Sequence, residues 1–524
     1  MPRLRLALVA ACLLFDAALA RAQTLTMAVE APFGLDPHYL FAGPNMAAAR
    51  NVYDSLINRD AESRFVPGIV ESWEATGPQT WELRLRRGVT FHDGSPFTAD
   101  DVAFSIARVP NVPNNPGPYT SNLRTISRVE VVDPHTVRLH TDQPNPVLPG
   151  QLTNIFVVSK RVAEGASTSD FNSGRAAIGT GPFRVEQVRG QEGMSIARNP
   201  TYWGEAPAYA RVEIRVIGND ASRLAALLSG DVDLIESVPP ADVERLQRDA
   251  RVSVFRRNSD RIMYLLPNLR LEQFPLLTDT AGQPLARNPL RDVRVRRALS
   301  LAIDRQALAA RALDGQAVPT VQMVPEQFGG FDPGIAIPAA DPARARALLA
   351  EAGYPNGFGL TLGCPNNRFV NDARVCQAAG QMLTRAGFQV RVETQPWNVF
   401  SPRTLAHRND LPLMLYGLSL SSSRDASYIL STAVHTRVPE QAFGQGNRGG
   451  FSDARLDAMI DAVIGRADEG REAELRRVAA AAAEEVPFIP LYNQVVIVAA
   501  KRGVTYTPRM DEQMVAIQAR PAGR

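Results

Sequence analysis

The sequence predicts an α/β protein with more than one domain. Three observations carry that expectation. Its 524 residues exceed what one hydrophobic core organises, so two or three domains are expected. Strand-like and helix-like segments alternate through the middle of the chain, the rhythm of a layered sheet. The composition, 45% hydrophobic and 21% charged, is that of a globular protein rather than a disordered or fibrous one.

The elements follow in order. Residues 24–30 place Leu25, Met27 and Val29 on one face and read as a strand; residues 81–86 do the same with Trp81, Leu83 and Leu85. Thr98 and Asp101 form a capping-box variant that opens a helix carrying Val102, Phe104, Ile106 and Ala107. Residues 128–132 and 136–140 flank the turn signal Asp133-Pro134 and predict a hairpin. Then come strand 212–217, a helix capped by Asp220 or Ser222 and ended by Gly230, strand 232–235, helix 240–248 and strand 252–256. That order implies parallel pairing. Residues 270–290, rich in Pro and Leu, read as a loop. Helices follow over 292–304, 305–314 and 341–352, then strands 360–363 and 389–393 around a helix near 372–383. Leu456, Met459, Ile460, Val463 and Ile464 form a helical core stripe.

The first 22 residues read as an address. Arg3 and Arg5 precede an apolar run from Leu6 to Leu19, and Ala20-Arg21-Ala22 offers a cleavage site before Gln23. This is a secretory signal peptide, too short to span a bilayer. Only about six apolar residues precede Cys12, short of a lipoprotein signal's usual core of about seven, so release without a lipid anchor is expected. Cleavage removes three Arg and one Asp, taking the formal charge from +3 to +1. A near-neutral body gives no electrostatic reason to bind nucleic acid or an anionic membrane. Cys364 and Cys376 remain. An even pair in an oxidising compartment suggests a disulfide, with two buried free thiols as the alternative. Six scattered histidines form no metal-ligand cluster, and no cofactor is implied. A hydrolase lacks support: there is no Gly-x-Ser-x-Gly elbow, His-Glu-x-x-His helix or P-loop.

A collinear set of motifs then narrows the reading. The chain carries Asn51-Val-Tyr-Asp-Ser-Leu-Ile57, Phe65-Val-Pro-Gly-Ile-Val-Glu-Ser-Trp73 and Gly88-Val-Thr-Phe-His-Asp-Gly-Ser-Pro-Phe-Thr-Ala-Asp-Asp-Val-Ala-Phe-Ser105. Gly179-Thr-Gly-Pro-Phe183, Arg198-Asn-Pro-Thr-Tyr-Trp203 and Asp292-Val-Arg-Val-Arg-Arg-Ala-Leu299 come next, then Glu351-Ala-Gly-Tyr-Pro355 and Val486-Pro-Phe-Ile-Pro-Leu-Tyr492. From about residue 24 to 505 the sequence resembles the family 5, or cluster C, solute-binding proteins of ABC importers for peptides, nickel and related solutes. The resemblance implies an α/β bilobed periplasmic-binding-protein type II fold with an extra subdomain in lobe I. Lobe I would be 23–268 plus 487–524, with 66–177 as the subdomain, and lobe II 269–486. Crossings near 263–268 and 485–491 would make a hinge that closes over ligand. It further implies a periplasmic monomer, not an enzyme, that passes a small ligand, a short peptide or peptide-like carboxylate, to an inner-membrane ABC permease with its ATPase.

The same resemblance points to site residues. Arg368 stands where dipeptide-binding relatives hold the ligand carboxylate. Tyr416 falls on an aromatic position, and Ser419 stands where the amine-binding Asp would be. Asp425 matches a second acidic position and could supply that charge. Trp397 matches an aromatic facing the cleft, and Tyr39 and Asn268 are further candidates. The Ser at 419 leaves room for a blocked or γ-linked peptide or an opine. Nickel or a metallophore, through His407 or His435, is the rival on the same fold.

Overall fold

The structure, a computed structural model, describes residues 24–523 other than 406, 421 and 442. The expected signal peptide, with its cleavage before Gln23, lies outside the described residues. Strand β1 (Thr24–Val29) and helix Gly43–Val52 lead into a four-stranded antiparallel sheet of β2 (Val70–Gly77), β3 (Thr80–Leu85), β4 (Ile126–Asp133) and β5 (Thr136–Thr141), in the order β2-β3-β5-β4. Helix Ala99–Arg108 begins at the Thr98/Asp101 capping box, as the sequence predicts.

A second, long sheet contains β1, β6 (Phe183–Val188), β7 (Gly193–Arg198), β8 (Arg211–Val216), β9 (Leu234–Ile235), β10 (Val252–Pro267), β11 (Gly359–Pro365), β12 (Gln389–Gln395), β13 (Leu413–Ser419) and β14 (Ile489–Lys501). Its path runs β11-β13-β10-β14-β9-β1-β8-β7-β6. β8 and β9 both lie parallel to β1, one on each side, as the strand-helix-strand rhythm implies, whereas the third strand of that run, β10, pairs antiparallel with β13 and β14. The helix between them is capped by Asn219, whose side chain accepts from the Ser222 amide, not by Asp220 or Ser222.

The largest departure concerns β10. Alternation fades at Arg256, yet the strand continues for 16 residues to Pro267. It is paired with β14 at residues 252–258 and 262–265 and with β13 along its second half, and between them the Asp260 amide donates to the Met510 carbonyl and the Arg261 amide to Ser259 Oγ. The β10–β14 register slips between Asn258 and Ile262, and again at Met263/Tyr264.

Buried apolar side chains gather on either side of that slip. One core takes Ile262, Leu299, Leu362, Leu415 and Leu456; another takes Leu25, Met27, Tyr53, Val212 and Val498. A third, with Leu83, Phe91, Val137 and Leu139, lies under the four-stranded sheet. Fully burying each such side chain contributes about 1.5–3 kcal/mol.

Candidate functional site

In layered sheets, ligands sit outside the carboxyl ends of the strands. Four such ends converge here. β1 and β9 run out at Glu30 and Glu236, while β11 leads to Arg368 and β13 ends at Ser419. Glu236 accepts the Glu30 amide at 2.7 Å. Burial, then the charge of Glu30, lifts the Glu236 carboxyl to about 8. Between the two pairs, the slipped stretch of β10 supplies Ser259, Asp260 and Arg261.

Arg261 reaches 251 residues along the chain to Glu512, with Nε and Nη2 at 2.8 and 2.7 Å from Oε2. Ser259 Oγ and Gln494 Nε2 also donate to Glu512, at 2.7 and 2.9 Å. Burial pushes Glu512 up, but the charge of Arg261 and these hydrogen bonds outweigh it and hold the carboxyl below its ordinary value. Asp260 is fully buried and accepts the Ser419 hydroxyl at 2.6 Å. Burial first, then Glu512 and Asp511, lifts its carboxyl to about 7 against the pull of Ser419 and Arg59.

Arg368 presents an exposed guanidinium that makes no ion pair among the described residues. It lies over the rings of Phe369 and Trp397, 5.2 and 5.5 Å from their centroids. Its backbone N–H is fixed by Asp372 at 2.9 Å. Desolvation and then the charge of Arg261 lower its pKa, opposed by Glu512, Glu30 and Asp372. Trp397, half-buried, also packs against Phe400 and Tyr416. Tyr416 itself is buried, and its hydroxyl lies 2.6 Å from Thr404 Oγ1. Arg368, Trp397 and Tyr416 are therefore brought together, Ser419 lies three residues beyond Tyr416 on β13, and Cys364 is disulfide-bonded to Cys376.

Other expected residues are occupied elsewhere. Asp425 caps the short helix Ala426–Ile429, accepting from the Ser427 amide at 2.8 Å, and pairs with Arg471 Nη1 at 2.5 Å. Its charge is already neutralised. The Asn268 side chain donates to the carbonyls of Asn409 and Leu411 at 3.3 and 3.1 Å and accepts from the Arg270 amide at 3.2 Å. It is a buried brace at the end of β10. Tyr39 is half-buried in the turn after β1, its amide 3.3 Å from the Asp36 carbonyl. His435 is buried and stacked on Phe443, and His407 is exposed.

The two sides of the cleft touch. Asn154 bonds to Ser422 at 3.0 Å, and Arg124 lies over the Phe443 ring at 5.5 Å. The arrangement is closed. A cavity of about 490 Å³ opens beside the same long strands, at Glu62, Arg257, Asn258, Gln316, Gln327 and Met510, and includes none of Arg368, Trp397, Tyr416 and Ser419. Sequence reasoning missed Asp260, Arg261, Glu512, Arg59 and the Glu30/Glu236 pair. The signal available was the polar run Asn258-Ser-Asp-Arg261, set directly before the apolar stretch from Ile262.

Comparison with known proteins identifies the family and the fold. Residues 64–439 match the profile of the bacterial extracellular solute-binding proteins, family 5 (middle). The chain is 27% identical over 517 residues to di/tripeptide-binding protein 2 of Pseudomonas aeruginosa, covering 93% of this chain and 92% of that protein. It is 26% identical to heme-binding protein A of Haemophilus influenzae, covering 89% and 86%. A solved periplasmic binding protein from Helicobacter pylori, DppA in complex with the peptide STSA, superposes with a TM-score of 0.77 at 21% identity, covering 95% and 98%. The fold is accordingly the bilobed type II periplasmic-binding fold, with the four-stranded sheet as an added subdomain. With its profile match spanning well over half its length, the chain belongs to the bacterial extracellular solute-binding proteins of family 5.

Proposed function

We propose that this chain is the periplasmic binding component of an ABC importer, and that it holds a short peptide or peptide-like carboxylate between its lobes. The observation that carries the reading is Arg368. A guanidinium at a strand's carboxyl end, stacked on aromatic rings and without an ion-paired acid among the described residues, suits a bidentate ligand carboxylate. The printed names of the relatives, which include di/tripeptide and glutathione binders, support a ligand of this kind. We place lobe I at 23–268 plus 487–524, with 66–177 as its subdomain, and lobe II at 269–486. The hinge falls at the β10–β14 register slip, just ahead of the 263–268 crossing. In this reading the protein works as an exported monomer, binds without catalysis, and delivers to an inner-membrane permease whose ATPase supplies the energy.

The test is a thermal-shift screen of the mature protein with di- to pentapeptides and glutathione. Saturating ligand at a hundredfold excess over Kd stabilises by about 2.7 kcal/mol, a readily measured shift. No shift from any of them would remove the peptide reading while leaving the family intact.

A further inference from the structure

Resting on that peptide-like ligand, we infer that Asp260 and Arg59 receive its amino end, Asp260 taking the ammonium and Arg59 the adjoining carbonyl oxygen. Both side chains are fully buried. Asp260 is fixed at two points: its amide donates to the Met510 carbonyl at 3.0 Å, and its Oδ1 accepts the Ser419 hydroxyl at 2.6 Å. Its second oxygen, Oδ2, has no hydrogen-bond partner among the described residues. Arg59 donates through Nη2 to Asn154 Oδ1 at 3.1 Å, with Asp511 at 3.9 Å. Its Nε and Nη1 have no hydrogen-bond partner among the described residues.

A buried carboxylate oxygen and two buried guanidinium nitrogens left bare are each costly. Asp260 and Arg59 feel each other's charge, yet form no ion pair within 4.0 Å among the described residues. One group that donates at one end and accepts at the other satisfies both. The amino end of a peptide has that pattern, an ammonium with three donors beside a carbonyl oxygen. A second carboxylate would meet Asp260, Asp511 and Glu512. A simple cation would meet Arg59.

The position also fits. Asn154, which holds Arg59, bonds to Ser422 across the seam, and Ser419 ends β13 on the lobe II side. Parting the lobes opens this seam. With Arg368 on the carboxylate, the ligand acquires a direction, amino end at Asp260 and carboxyl end at Arg368. Burial, with Glu512 and Asp511, lifts the Asp260 carboxyl to about 7, which is consistent with an acid that lacks its cation.

Calorimetric titration tests this with trialanine, or whichever screened peptide binds tightest, and its N-acetylated counterpart. In the wild type, acetylation is expected to weaken binding tenfold or more. Asp260→Asn keeps an acceptor for Ser419 and should bind both peptides alike, at the weaker level. An unchanged free-to-acetylated ratio in the variant overturns the assignment while the peptide reading stands. Should the variant not fold, the wild type alone decides: equal affinity for the two forms overturns it. If no peptide binds, the peptide reading fails, and the assignment falls with it.

Discussion

Asn154 donates through Nδ2 to Ser422 Oγ at 3.0 Å, joining the added subdomain to the loop after β13 across 268 residues of sequence. Gly150 makes that approach possible. A Cβ there would stand 2.1 Å from the Ser422 carbonyl oxygen and 2.7 Å from the Phe65 ring. Gly150→Ala should therefore hold the lobes apart. Small-angle scattering with ligand should show a larger radius of gyration than the wild type, and affinity should fall about tenfold or more. Unaltered closure would mean that Ser422 yields to the added methyl.

Arg368→Ala should separate binding from stability. Among the described residues the guanidinium has no ion pair to lose, only its stacking on Phe369 and Trp397, about 0.5–1 kcal/mol. The melting temperature without ligand should barely move. Binding of carboxylate ligands should weaken by about 2–5 kcal/mol, the usual loss on truncating one partner of a buried charge pair. Titration of the variant at full affinity would remove Arg368 from the site.

Asp260 and Glu236 should each lower stability as pH rises from about 4 to 8, against an opposite slope below about pH 6.5 from His38 and His92, whose imidazoles burial holds down to about 4. Asp260 is raised to about 7 by burial, Glu512 and Asp511, against Ser419 and Arg59, and Glu236 to about 8 by burial and Glu30. Each acid keeps, when folded, a proton that the unfolded chain releases near its ordinary value. At these two acids the folded state therefore binds more protons across that window, and their contribution to the slope is negative. Below it the sign reverses, because Arg509 and Arg59 hold Asp511 far below its ordinary value in spite of burial. That stability is lost in acid. Melting curves from pH 3 to 9 should show Asp260→Asn making the slope more positive between about pH 4 and 7. A variant curve parallel to the wild type there would contradict this.

Cys364 and Cys376 close a 12-residue separation. In the chain-entropy view such a closure contributes about 3 kcal/mol. The Cys364→Ser/Cys376→Ser variant should lose a comparable amount in urea unfolding. It should also bind more weakly, since Arg368 follows Cys364 by only four residues. Equal unfolding midpoints with and without reductant would show that the bond does not form.

Local signals were legible where local physics decides structure. The Thr98/Asp101 box, the Asp133-Pro134 hairpin and the β8-helix-β9 unit all follow from spacing and turn chemistry. The charged floor of the cleft was not, because its partners are remote. Arg261 reads as a surface arginine until Glu512 is folded back onto it. Asp260 reads as a turn residue until Ser419 and Met510 fix it. Asp425 shows the converse. Asp-Ala-Ser is a helix-cap pattern, but the resulting helix is only four residues long, too short to show a helical period in the sequence.

β10 and β14 run as hydrogen-bonded neighbours up to the two proposed crossings at 263–268 and 485–491, so in that reading the joint is a ribbon rather than a pair of independent tethers. A ribbon bends and twists about its own axis but resists sliding and free rotation. The open state therefore samples a narrow arc of orientations, and the two walls remain in register while they are apart. Closure then sacrifices little rotational entropy, and more of the contact energy with the ligand is retained as affinity.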